Sequence, residues 1–195
     1  MLRCWRSRDG TNRSAALIFR ATPIDGVFVI EPDRFADDRG HFARTYCAQE
    51  FTEHGLDPAV AQCSTSFNAR AGTLRGMHYQ CVPHAEAKLV RCTRGAIHDV
   101  ALDLRSDSPS YLRWHSVELS ADHGLAYFIP VGCAHGFQTL QDDSEVFYQI
   151  STPHVRAAAR SVRWDDPAFG IAWPEPPLGG RIISERDAAH SDFAA

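Results

Sequence analysis

Short runs rich in valine, isoleucine, phenylalanine and tyrosine recur along this chain, each closed by glycine, proline or aspartate. They are GVFVIEP (26–32), HFARTY (41–46), TLRGMHYQ (73–80), KLVRCTRGAIHDVALDL (88–104), HSVELS (115–120), LAYFIP (125–130), HGFQTL (135–140) and EVFYQIS (145–151). Runs of this length and composition predict strands, and their close spacing predicts an all-β sandwich or barrel. In the last run, Val146, Tyr148 and Ile150 alternate onto one face while Glu145, Gln149 and Ser151 take the other, so Tyr148 points inward with the apolar side chains. A tyrosine hydroxyl placed there must find a backbone partner or face a pocket.

Helix signals are few. AQEFTEHGL (48–56) predicts one short helix stopping at Gly55, and HVRAAARSV (154–162) predicts another turn or two. Residues 1–18 carry no periodicity and read as a disordered extension, leaving 19–195 as a single domain. WPEPPLGG (173–180) cannot be regular, because proline and glycine break both ladders and helices. The end that follows is polar.

Composition narrows the partners. A net charge of −4 without any Lys/Arg block argues against nucleic acid, and no apolar run approaches the roughly 20 residues that span a bilayer. The six cysteines (4, 47, 63, 81, 92 and 133) include no C-x-x-C pair. With no apolar leader segment, they predict reduced thiols and a cytoplasmic protein. One count raises a chemical question: of 20 basic residues, Lys88 is the only lysine. An ammonium is a compact charge with a tunable pKa, whereas guanidinium is a rigid fork that stays protonated. A second oddity is the strand LRGMHYQ, which holds Arg75 and His78 on either side of Gly76.

LRGMHYQ (74–80), AKLVRCTRGAIHDVALDLR (87–105), YFIPVGCAHGFQTL (127–140), EVFYQIS (145–151) and DDPAFGIAWP (165–174) together resemble the dTDP-4-dehydrorhamnose 3,5-epimerases. The likeness runs from about Phe19 to Asp187. It implies an all-β, cupin-type jelly-roll β-barrel with short peripheral helices, acting on a nucleotide-linked 4-keto-6-deoxy sugar. The C3 and C5 protons of such a sugar lie α to the ketone, so inversion needs a base, an enolate stabiliser and an acid on the opposite face. The resemblance implies His78 as base, Lys88 as the enolate-stabilising cation and Tyr148 as acid. The residue types suit these roles. An imidazole is poised near working pH, an ammonium is a localised cation for a developing oxyanion, and a phenol can donate.

Ser184-Glu185-Arg186-Asp187 matches the family's Ser-x-Lys-Asp, which implies Asp187 as the residue orienting His78, with Asp166 the alternative. Substrate contacts are implied for Arg39, Phe42, Arg75 and His135, with Gln62 on the nucleotide side and His154 close to the sugar. No metal or organic cofactor is implied, because the ketone itself acidifies the α protons. A homodimer is implied, its N-terminal segment carrying Arg39 and Phe42 to the neighbour's ligand. Several positions depart from the family pattern. Arg44 stands for a glutamate, Cys63-Ser64-Thr65 for Q-x-N, His154 for a tyrosine and Ala159 for a glutamate. They leave open which nucleotide base is accepted and whether one or both carbons are inverted. Two other readings stand beside this one. A metal-dependent cupin would use His78, His84, Glu86 and His135, since IPVGCAH (129–135) fits half of a metal-cupin signature. A non-catalytic sugar-nucleotide-binding cupin would keep the fold and lose the chemistry.

Overall fold

The computed structural model describes residues 16–177 and 179–193; most of the expected N-terminal extension, residues 1–15, lies outside them. The first strand opens at Leu17, two residues before Phe19. In chain order the elements begin with β1 (Leu17–Ala21), β2 (Phe28–Pro32), β3 (Arg34–Asp37), β4 (Gly40–Ala43) and α1 (Ala48–Glu53). The middle of the chain supplies β5 (Gln62–Asn68), β6 (Thr73–Gln80), β7 (Lys88–Arg94), β8 (Ala96–Asp103) and β9 (Trp114–Ser120). Then come β10 (Ala126–Ile129), β11 (Cys133–Thr139), β12 (Ser144–Ile150), β13 (Ala159–Ser161), β14 (Ile182–Ile183) and α2 (Glu185–Ala188).

Two sheets carry the fold. One runs β1-β2-β10-β7-β12-β5; the other runs β13-β6-β11-β8-β9, with β14 added in parallel to β6. β3 and β4 form a separate hairpin. The sheets close over a core of Val90, Cys92, Ile97, Ala101, Tyr127, Ile129, Phe137 and Val146, and the result is the expected jelly roll. Two further apolar clusters cover the outer faces. Phe51 of α1 joins Leu17, Ile30, Leu89 and Phe128 on the first sheet, and Phe169 and Val162 join Met77, Val100 and Leu102 on the second. β8 and β11 are thereby buried on both faces, so neither shows the apolar–polar alternation of a half-buried strand.

HVRAAARSV is the one element that folds differently from expectation. Its first residues turn and its end becomes β13, pairing Ala159, Arg160 and Ser161 with Gln80, Tyr79 and His78 of β6. Alanine-rich composition favours helix only weakly, and a free edge of β6 supplies the hydrogen-bond partners that override it.

Candidate active site

The second sheet presents two histidines side by side. His78 of β6 and His135 of β11 are register partners. Arg75 pairs with Phe137, so three steps along β6 match two along β11, and β6 carries a bulge. Gly76 lies in it at φ +142°, where a Cβ would sit 2.5 Å from Gly136 Cα; no other residue fits so close an approach. The bulge accounts for the charge and the imidazole sharing one strand. In an unbroken strand residues 75 and 78 would face opposite ways; the bulge breaks that alternation, and Arg75 stays exposed while His78 enters the cavity lining.

Each histidine is backed by a carboxylate. The C-terminal chain runs beside β6 as β14, then turns into α2, whose N-cap Ser184 accepts a hydrogen bond from the Asp187 backbone N–H. That single turn sets Asp187 Oδ1 2.8 Å from His78 Nε2. Asp166, the alternative, is engaged elsewhere: it is buried and accepts the backbone N–H groups of Ala168 and Phe193. Burial alone would raise the Asp187 carboxyl, but hydrogen bonds from His78, Ser184 and the Gly76 backbone bring it below the usual aspartate range. An ionised Asp187 accepts a proton-bearing Nε2, which leaves Nδ1 as the lone-pair nitrogen of His78. On the neighbouring strand, His135 Nε2 lies 2.9 Å from Oδ1 of the fully buried Asp99 on β8.

The first sheet contributes Lys88 and Tyr148. Lys88 opens β7, and its buried ammonium reaches across the barrel to donate to the His78 carbonyl at 2.9 Å, with Glu86 Oε1 3.2 Å away. Burial pulls its proton affinity below that of an ordinary lysine, against the opposing charges of Glu86 and Asp99. Tyr148 on β12 packs on the core beside Val146, as the alternation predicts, with its ring 5.7 Å from that of His135. Among the described residues its hydroxyl forms no hydrogen bond. Burial pushes the phenol well above its ordinary value, so it stays protonated.

His78, Lys88, His135, Tyr148 and His154 line one open cavity of about 260 Å³, rimmed by Arg156, Arg160 and Arg186. Glu86 is the only carboxylate in the lining, and Lys88 pairs with it. The rim therefore presents cations to an anionic ligand. Other expected contacts lie elsewhere. Arg75 is outside the lining and donates through Nε to Asn68 Oδ1 at 2.8 Å. Gln62, on exposed β5, accepts the His154 backbone N–H. Arg39 and Phe42 sit out on the β3–β4 hairpin, Arg39 paired with Asp37 at 2.6 Å and Phe42 67% exposed. Arg44, at a departing position, pairs with Glu50. Sequence reasoning misses two partnerships here, Asp99 with His135 and Glu86 with Lys88. Asp99 has a readable sign: a charge inside the apolar run AIHDVALDL must be partnered.

Three of the four candidate metal donors are engaged with other groups, and among the described residues no three His, Cys, Asp or Glu side chains converge as a ligand set. His78 and His135 turn Nε2 to aspartates, while Glu86 meets Lys88 and Gln80.

A jelly roll whose interior cavity is lined by His78, Lys88 and Tyr148 defines a cupin-type protein with a candidate active site. The sequence profile of the dTDP-4-dehydrorhamnose 3,5-epimerases matches residues 21–195, and the chain belongs to that family. A dTDP-4-dehydrorhamnose 3,5-epimerase of Sinorhizobium fredii is 40% identical over 173 residues, covering 89% of this chain and 88% of that protein. The crystal structure of the Elizabethkingia anophelis enzyme of that name superposes with a TM-score of 0.87 at 35% identity, over 91% of this chain and 96% of that one. The Bacillus anthracis enzyme, solved with TDP and pyrophosphate bound, gives 0.85 at 34% identity, over 91% and 100%.

Proposed function

We propose that this protein inverts C3, C5 or both in a nucleotide-linked 4-keto-6-deoxy sugar, of the dTDP-4-dehydro-6-deoxyglucose type, in deoxysugar biosynthesis. The observation that carries this reading is the placement of a His–Asp pair and a tyrosine on opposite sheets, with one buried ammonium spanning the gap. His78, oriented by Asp187, removes a proton α to the C4 ketone. The electrons move to the ketone oxygen, and Lys88 stabilises the enolate where its charge develops. Tyr148 then delivers a proton to the face opposite His78, and the centre inverts. The diphosphate extends to the arginine rim, where guanidinium forks suit phosphate oxygens.

The test is deuterium uptake from heavy water into dTDP-, CDP-, GDP- and UDP-linked 4-keto-6-deoxy sugars, which also reads out base preference. Uptake at C3 or C5 is expected. Binding without uptake would leave a sugar-nucleotide-binding cupin instead. Tyr148→Phe is expected to keep exchange within about tenfold of wild type while inversion falls by about 10²–10⁴, the usual contribution of one acid–base group. Equal losses of the two would remove Tyr148 from the role of acid.

We further propose a cytoplasmic homodimer. The five described cysteines are free thiols, which accords with a reducing compartment. β5 ends the first sheet as an edge with exposed Phe67, and such edges require cover. The hairpin bearing Arg39 and Phe42 lies outside the lining of its own cavity, which accords with a role at a neighbour's. Light scattering at micromolar concentration is expected to give twice the chain mass of 21.7 kDa; a monomer there would refute the exchange.

A further inference from the structure

Lys88 does not stand alone in the barrel wall. Glu86 is buried two residues before it. Its Oε1 lies 3.2 Å from Lys88 Nζ, while its Oε2 accepts from Gln80 Nε2 at 2.7 Å. Gln80, itself buried, also donates to the His84 carbonyl at 2.9 Å and accepts the Val155 backbone N–H at 2.6 Å. Both oxygens of Glu86 are therefore held, and the amide that holds one of them is tied to the segment carrying His154. Burying a carboxylate is costly unless it is paired and hydrogen-bonded, and both oxygens of Glu86 meet that demand.

We propose that Glu86 is a positioning residue of the epimerase site, whose carboxylate, braced by Gln80, keeps Lys88 charged and aimed across the barrel at the His78 side of the cavity. The inference rests on the proposed function for its purpose and on geometry for its content. The other titratable groups around Lys88 do not replace Glu86. From β8, Asp99 shares its charge with His135. From β6 and β11 come His78 and His135, from β12 Tyr148, and from α2 Arg186, none of them an anion facing the ammonium. β10 contributes Tyr127, whose hydroxyl is engaged by His115. Burial already pulls Lys88 toward its neutral form, and Glu86 is the strongest opposing charge. Removing that charge while keeping the bulk that excludes water, as in Glu86→Gln, lowers the midpoint further.

The single lysine makes the midpoint directly measurable. In protein labelled at lysine Cε and carrying no lysine in any tag, one side-chain NMR signal reports Lys88. The midpoint is expected to fall in Glu86→Gln by at least about one pH unit, tenfold in proton affinity, with Glu86→Asp lying between it and wild type. Glu86→Ala is expected to shift in the same direction and carries the test if Glu86→Gln folds poorly. Thymidine diphosphate binding is expected to stay within about twofold, and the alkaline limb of kcat/KM to move down with the midpoint. Equal midpoints in wild type, Glu86→Gln and Glu86→Ala would overturn the proposal. A shifted midpoint with an unmoved alkaline limb would uphold Glu86's hold on Lys88 and count instead against Lys88 as the enolate cation.

Discussion

His78→Ala is expected to abolish deuterium uptake at both C3 and C5. A positioned general base is worth about 10²–10⁴ in rate, and the enolate cannot form without one. In the proposed mechanism the imidazole is that base, oriented by Asp187 2.8 Å from its Nε2. Its side chain is 42% exposed, so truncation leaves no core cavity, and melting temperature and thymidine diphosphate binding are expected to change little. Loss of the C3 and C5 proton signals of the substrate in heavy water, followed by NMR, measures both exchanges at once. His135 lines the same cavity. Exchange persisting at one carbon near the wild-type rate would assign that carbon to His135 and restrict His78 to the other.

Lys88→Arg is expected to cost about 10²–10³ in turnover, on the order of 3–4 kcal/mol, as when one preorganised oxyanion donor is lost. Charge is preserved by the change and geometry is not. The ammonium sits between the His78 carbonyl and Glu86, 2.9 and 3.2 Å away, at the end of a buried stem. A guanidinium is wider and planar and spreads its charge over three nitrogens. It must either overpack this gap or displace Glu86. The variant is expected to fold, bind thymidine diphosphate and show a normal β-rich circular dichroism spectrum. Turnover near the wild-type rate would make Lys88 a bystander and its singularity among nineteen arginines an accident of composition.

Much of this site is legible in the sequence. TLRGMHYQ is β6 residue for residue, and the alternation in EVFYQIS places Tyr148 on the core face, because a half-buried strand with a period of two leaves little choice. The scarcity of lysine draws attention to Lys88 through chemistry alone. What stays hidden has physical reasons. QCSTSFN has no buried face to impose an apolar pattern, because β5 is an exposed edge. β13 and β14 are edge additions of three and two residues to β6, shorter than any period. The pairing of Asp99 with His135, and of Glu86 with Gln80, depends on which strand lies beside which, and that follows from topology. Arg75, Gln62, Arg39 and Phe42 were grouped with the site through family likeness. Within one chain, none of the four lines the cavity.

Where β6 and β11 pass each other at Gly76 and Gly136, neither position has room for a methyl group: a Cβ on Gly76 would lie 2.5 Å from Gly136 Cα, and one on Gly136 would lie 2.5 Å from Met77 Sδ. The two histidines stand on strands kept in contact by the absence of side chains. Mutational fragility in this enzyme is consequently concentrated where there is no functional group to see. An alanine at either glycine would wedge the strands, carry His78 away from His135, and read in a screen as a catalytic lesion, although it touches no atom of the chemistry. A smaller residue at Met77 can return the space at Gly136, but nothing can return it at Gly76, whose neighbour is already glycine backbone. Laboratory evolution of this barrel for new sugars therefore has almost no freedom at these two glycines.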